Sequence, residues 1–383
     1  MRVLHVIAPV SFGGGESLLV NLLRERRPDL DETVVSLYHA PEFEQRLQAI
    51  GIPTWLLRNT SIGAGVSRRR VLFETPMNLC LAPKLWRVIK DAEADIVHIH
   101  GYPGSLLFYL LRSVTNVRGI YTHHFVRQRP SAVERVILGR CYRAFDACTG
   151  VSNLVRDSMN RAFFRGGAGF ETIYNCVGDS FFARARAGRF RDIAPAGRCI
   201  FVHVARFVSH KNQMLVVRAL RDLPIHVRGQ LHVVFAGDGP ELARVRRFGA
   251  DAGLMDHVTF LGAVRYDDLP GLLSVARFGL FPSENEGFGI AAMECLAAGL
   301  PVLSLDVELM EEIVGPAGLR VARDRLAEGL VRMLSEGDRL VADARARGAM
   351  FRASVIKDEY MRLYRRVSRL RGVGVGQSAA SAA

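Results

Sequence analysis

Two carboxylates and two cations carry the strongest chemical signal in this chain. Glu286 and Glu294 stand eight residues apart in Pro282-Ser-Glu-Asn-Glu286-Gly-Phe-Gly-Ile-Ala-Ala-Met-Glu294-Cys-Leu-Ala-Ala-Gly-Leu-Pro301-Val. A Gly-Phe-Gly turn between them opens a helix. If the intervening residues are mostly helical, the two glutamates lie roughly 12 Å apart at ~1.5 Å rise per residue. That matches the reach from a sugar ring to the ribose of its nucleotide. An ionised carboxylate accepts hydrogen bonds from adjacent sugar hydroxyls. The N–H groups of Gly287, Phe288 and Gly289 at a helix start suit a diphosphate. The plain alternative is two acidic residues favoured by a helix dipole. Upstream, Phe201-Val-His-Val-Ala205-Arg206-Phe-Val-Ser-His-Lys211-Asn reads as a strand, a loop with Arg206, and a helix begun by Lys211. Two cations beside a helix start would clamp a diphosphate and stabilise the charge that grows on a leaving phosphate. Alone, that spacing fits a solvated pair equally well.

Other segments add to these. Ser11-Phe-Gly13-Gly14-Gly15-Glu16 would let backbone approach a phosphate or sugar closely. Its spacing fails the dinucleotide fingerprint, and a tight turn also explains it. Histidines mark two strand ends, Val97-His98-Ile-His100-Gly101 and Tyr121-Thr-His123-His124-Phe125.

Taken together, these segments resemble glycosyltransferase family 4, retaining enzymes of the two-domain GT-B fold. The carboxylate segment resembles its Glu-x7-Glu donor signature, and Arg206-x4-Lys211 its Gly-Arg-x4-Lys, with Ala205 in place of glycine. The glycine loop is similar to the family's Gly-Gly-x-Glu, and the histidine segments to its H-x-H and T-x-H elements. Ala236-Gly-Asp238-Gly-Pro240 and Val258-Thr-Phe-Leu-Gly262 also match. Two departures stand out. Asn175-Cys176-Val177-Gly178-Asp179 replaces the usual Asn-Gly-Val-Asp turn, and the chain is shorter than the family pattern between Asp306 and Arg320. The resemblance implies that Glu286 binds the transferred sugar, Glu294 the ribose, and Arg206 and Lys211 the diphosphate. The loop after Gly262 would hold the base through its backbone, with Gly287, Phe288 and Gly289 on the diphosphate and Gly14 and Gly15 facing the cleft. His124 is the implied cleft histidine beside the reacting sugar and acceptor; His123 reads as structural. With Arg206, Lys211 and Glu286, His124 forms the implied catalytic set. The implied reaction is transfer from a UDP- or GDP-sugar to a sugar or lipid-linked hydroxyl acceptor. Configuration would be retained, with no essential metal and no cofactor, the nucleotide-sugar being a substrate. A sugar-nucleotide epimerase of the same fold, or a non-catalytic binding protein, would share these motifs.

Short apolar strands alternate with amphipathic helices, predicting α/β architecture with parallel sheets covered on both faces. The reading gives strands at 3–8, 33–38, 96–100, 119–123, 147–151 and 171–174, with helices at 17–26 and 42–50. Ala183–Arg198 breaks the pattern and is expected to be a linker. Strands then follow at 199–205, 233–236, 258–261, 279–281 and 301–305. Helices are expected at 210–220, 241–252, 291–298 and 354–369. The expectation is thus two Rossmann-like domains facing a central cleft. Residues 1–182 would bind the acceptor and 199–353 the donor. Helix 354–369 would pack back on the first domain, and 372–383 would form a flexible tail.

Composition bounds the rest. The 383 residues suit two domains of ~150–200 residues. Net charge is +13, and only four of 51 basic residues are lysine. Arginine-rich stretches interleaved with apolar residues, above all Arg127–Arg143, fit a codon preference, a solvated helix face, or peripheral contact with an anionic membrane. Nucleic acid is not an expected partner. The six cysteines form no CxxC pair and no zinc spacing, so reduced thiols in a cytoplasmic protein are expected. The N-terminus reads as a strand, not a signal peptide. The longest apolar run, 288–305, is broken by Glu294, Gly299 and Pro301. Asp29-Leu30-Asp31 reads as a charged turn. Gly150-Val-Ser152-Asn-Leu154 lacks the last glycine of a hydrolase elbow.

Overall fold

The computed structural model describes residues 1–9, 14–60, 80–127, 130–164, 169–183 and 185–370. Ser11–Gly13, Ser67–Arg70 and the tail Gly372–Ala383 lie outside the described residues. The chain divides into two compact units. The first comprises Met1–Gly150, Arg156–Ile173 and Lys357–Ala383; the second comprises Val151–Val155 and Tyr174–Ile356.

The first unit alternates β1 (Arg2–Ile7), α1 (Gly14–Arg24), β2 (Asp31–Ser36), α2 (Pro41–Ala49), β3 (Thr54–Leu56), α3 (Ala82–Asp91), β4 (Ile96–His100), α4 (Tyr102–Leu111), β5 (Arg118–His123), α5 (Ala132–Arg143), β6 (Ala147–Gly150), α6 (Asn153–Phe163, counted with this unit from Arg156 onward) and β7 (Phe170–Thr172). Its sheet runs β3-β2-β1-β4-β5-β6-β7. Strands buried on both faces need near-continuous apolar runs, and every residue of β4 is buried. Its two histidines are therefore polar groups deep in a parallel sheet and require partners. The register sets His5 beside His98, and His100 between Ile7 and Thr122. A capping box starts α5: Ser131 Oγ accepts from the Glu134 N–H at 3.2 Å, and the Glu134 carboxylate accepts from the Ser131 N–H at 2.9 Å.

The second unit restarts the alternation with β8 (Cys199–Val204), α7 (Gln213–Asp222), β9 (Leu231–Ala236), α8 (Leu242–Asp251), β10 (Val258–Phe260), β11 (Phe278–Phe281), α9 (Ile290–Ala297), β12 (Val302–Leu305), β13 (Gly318–Val321), α10 (Leu326–Glu336) and α11 (Val341–Ala349). The order is β10-β9-β8-β11-β12-β13. Phe201, Phe207, Phe235 and Phe278 fill its core. The last helix, α12 (Ala353–Ser368), counts with the first unit from Lys357 onward.

Each sheet reverses its strand order once, at β1/β4 and at β8/β11. Such switch points open crevices at the carboxyl ends of strands, where α/β proteins place ligands.

Three expectations need correction. Gly14 and Gly15 lie in the first turn of α1, not in a turn before a helix at Ser17. The expected helix 210–220 is interrupted: Ser209–Lys211 form a short 3-10 turn, Asn212 is left-handed (φ 57°), and α7 starts at Gln213. The Glu286–Glu294 stretch is helical only from Ile290, after left-handed Gly289 (φ 81°), so the 12 Å helical spacing does not apply.

Candidate functional site

At the β8/β11 switch, two loops are stitched together. Asn212 Nδ2 donates to the Pro282 carbonyl at 2.9 Å, and the Glu284 N–H donates to the His210 carbonyl at 3.3 Å. Lys211 Nζ forms an ion pair with Glu286 Oε1, both side chains being half-buried. The ammonium also lies 5.7 Å from the Phe281 ring centroid. Burial, then Lys211, lowers the pKa of the His210 imidazole; Glu286 opposes this, and Arg206 adds to it. Lys211 and Glu286 pair directly, and Arg206 and His210 lie on the same loop as Lys211.

A third loop supports the cationic one. Gly237 (φ 151°) lies so close to Ala205 that a Cβ there would sit 1.9 Å from the Ala205 carbonyl oxygen. The Gly237 N–H donates to the Gly262 carbonyl at 2.7 Å, tying the loops after β9 and β10 together. Ala205 is not in the left-handed region, so a Cβ at this position needs no unusual backbone.

Among the described residues, the N–H groups of Gly287, Phe288 and Gly289 have no protein acceptor. They precede α9 and are free for an anion. The Phe288 side chain itself is core: its ring centroid lies 6.0 Å from that of Tyr174 and 6.0 Å from that of Phe351. Ser283 Oγ is buried beside this loop without a partner. Sequence reasoning did not single out Ser283 or His210, although both lie inside the quoted motifs.

Glu294 differs from Glu286. It is 4% exposed and hydrogen-bonds Tyr266, and burial pushes its carboxyl up to about 8. Burial thus biases this carboxyl toward its neutral form at neutral pH. Because the folded value lies above the unfolded one, this group favours the folded state below about 4.5 and loses that contribution as pH rises to about 8. Glu294→Gln is expected to flatten the fall of melting temperature across that window. An unchanged slope in the variant would refute the assignment.

In the first unit, the carboxyl ends of β4 and β5 carry buried ring nitrogens without hydrogen-bond partners among the described residues. His124 has neither ring nitrogen hydrogen-bonded, and burial lowers it to about 4. His123 Nδ1 meets the Tyr121 hydroxyl at 2.8 Å, while its Nε2 has no partner. His5, His98 and His100 bring ligand atoms within 4.8 Å of one another, the only metal-like group among the described residues. Both nitrogens of His5 and of His98 are already hydrogen-bonded. Asp29 pairs with Arg365 at 2.8 Å, as a charged surface turn would.

Comparison with known proteins adds the following. Residues 188–346 match the family described as Glycosyl transferases group 1, and residues 12–181 match Glycosyltransferase Family 4. N-acetyl-alpha-D-glucosaminyl L-malate synthase of Bacillus anthracis is 25% identical over 65% of this chain and 66% of its own. A GDP-mannose-dependent alpha-(1-6)-phosphatidylinositol monomannoside mannosyltransferase of Mycobacterium tuberculosis is 32% identical over 55% of this chain and 58% of its own. The matched part thus spans under two thirds of either relative. Anabaena HepE, solved with UDP, superposes with a TM-score of 0.79 at 18% identity, covering 96% of this chain and 100% of that one. At that identity the likeness shows the fold alone.

Proposed function

The chain belongs to glycosyltransferase family 4, and from that premise we propose that it moves a sugar from a nucleoside-diphosphate donor to a hydroxyl acceptor. The observation that carries this reading is the Lys211–Glu286 ion pair beside the unpartnered N–H groups of Gly287–Gly289, with Arg206 and His210 on the same loop as Lys211. Lys211 and Arg206 would hold the diphosphate with those N–H groups, and Glu286 would accept from the sugar hydroxyls. Glu294, with Tyr266 beside it, would take the ribose. Gly262 would border the base. On the first unit, Gly14 and Gly15 would allow close backbone approach, and His124 would hydrogen-bond a hydroxyl. Retention of configuration and independence of metal belong to the proposal, as does a UDP or GDP leaving group. The mannosyltransferase relative and the UDP-bound neighbour motivate those two nucleotides.

The test incubates the protein with GDP-mannose and UDP-glucose, with and without glycolipid and saccharide acceptors. Released nucleotide plus a glycosylated acceptor is expected. Isomerised donor without transfer would mean an epimerase, and binding without turnover a non-catalytic protein; either result overturns the proposal.

The acceptor class has a surface correlate. No helix among the described residues is long and apolar enough to cross a membrane. Yet α5 exposes Val133, Val136 and Ile137 at 67%, 53% and 48%, and α4, packed against it, exposes Tyr109 and Leu110. Arg135 and Arg140 are exposed on the same helix. Apolar residues flanked by guanidinium groups complement an anionic bilayer. Val136→Asp/Ile137→Asp is expected to weaken binding to phosphatidylglycerol vesicles about 10-fold. Equal binding of wild type to phosphatidylcholine vesicles, or no loss in the variant, would remove this part.

A further inference from the structure

We propose that Lys357, Glu32 and His5 form a buried relay that fixes the tautomer of His100, so that His100 Nδ1 presents a lone pair to an acceptor hydroxyl. The acceptor's identity as a hydroxyl rests on the functional reading above; the relay itself does not.

The direction of every bond follows from chemistry. Lys357 Nζ, fully buried on α12, donates to both Glu32 oxygens at 2.7 and 2.6 Å and to the Leu22 carbonyl at 3.2 Å. An ionised carboxylate only accepts. His5 Nε2, 3.1 Å from Glu32 Oε1, must therefore carry the proton. A neutral imidazole has a single N–H, so His5 Nδ1 is bare. It lies 3.1 Å from His100 Nε2, which must then be the donor. His100 Nδ1 is left bare, buried and without a partner among the described residues. Burial lowers the pKa of both histidines, consistent with neutral rings.

The position suits a ligand. His100 ends β4 at the β1/β4 switch, and the His124 ring centroid lies 5.8 Å away. His98 does not compete, since Tyr364 and Thr122 hold its nitrogens at 2.8 and 2.7 Å. His5, Glu32 and Lys357 touch no ligand in this scheme and are positioning residues. Misdirected imidazole tautomers depress catalysis strongly where a fixed orientation is required.

The test is nitrogen-15 imidazole NMR on the full chain, with kinetics alongside. Wild-type His100 is expected as the Nε2–H form. Glu32→Gln/Lys357→Met removes both buried charges together, and the side-chain amide at 32 can donate as well as accept, so the Nδ1–H form of His100 should become populated. Acceptor kcat/KM should fall about 10- to 100-fold, with hydrolysis of GDP-mannose or UDP-glucose by water unchanged. A wild-type His100 protonated at Nδ1 overturns the relay, a measurement that needs no variant to fold. Stoichiometric zinc binding by the three histidines overturns it too. Unchanged transfer despite a populated Nδ1–H form overturns its role. A wild type that consumes no nucleotide-sugar would sink the functional reading, while the tautomer would still decide the relay.

Discussion

Lys211→Ala is expected to lower kcat/KM on the nucleotide-sugar about 100-fold, or ~3 kcal/mol of transition-state stabilisation. The cation is half-buried, so its field is less screened than that of a surface lysine. Charge grows on the departing diphosphate during the reaction, so a fixed ammonium should act more on turnover than on ground-state binding. Glu286→Ala is expected to show a loss of similar size for a different reason, because the sugar hydroxyls lose their acceptor. The ion pair between the two side chains makes a sharper prediction. In that ion pair Glu286 neutralises Lys211. Glu286→Gln should therefore free the ammonium and tighten binding of the bare diphosphates UDP or GDP, even as turnover of the full donor falls. The double variant should be non-additive, since the residues touch. Calorimetric binding of the diphosphate and initial rates on the donor separate these effects. Near-normal rates in both alanine variants would refute the donor-site assignment.

The two loops that hold Arg206, Lys211 and Glu286 were legible in the sequence because each is contiguous. Arg206 and Lys211 lie in one strand-loop segment, and Glu286 through Gly289 in another, so residue type and spacing expose their chemistry before any folding is known. The polar network of the first unit was not legible. His5 and Glu32 are 27 positions apart, His5 and His100 are 95 apart, and Glu32 and Lys357 are 325 apart. Only strand order and the return of α12 bring them together. Glu294 is an intermediate case. Its place inside the apolar run 288–305 was visible, and an acid in such a run on a short helix will be buried. Its spacing from Glu286 is not helical because a glycine with φ 81° delays the helix. Asn212 misled for a similar reason: apolar periodicity runs through 210–220, while a left-handed residue resets the backbone there.

Breaking the buried pair behind His100 by removing one partner should cost the first unit much of its stability. Lys357→Met is expected to destabilise the chain by about 3–5 kcal/mol, because it leaves the Glu32 carboxylate in the sheet without its cation. In a unit of this size that lowers the melting temperature by roughly 2–4 °C per kcal/mol. Glu32→Gln/Lys357→Met should recover most of the loss, since exchanging a whole buried pair for neutral groups is often close to neutral. The pH dependence follows from the same contacts. Burial raises the Glu32 carboxyl, but the hydrogen bonds from His5 and Lys357, with the lysine's charge, outweigh it and hold the group below its usual value. A carboxyl lowered in the folded state contributes stability above its unfolded value of about 4.5, and that contribution disappears as pH falls through the folded value. The wild type should therefore show an acid limb in its melting temperature that the double variant lacks. Lys357→Met melting within about 1 kcal/mol of wild type would mean that Glu32 takes up a proton or reaches water when the lysine is gone. The carboxylate would then not be fixed in its ionised form, and its hold on the direction of the His5 hydrogen bonds would fail with it.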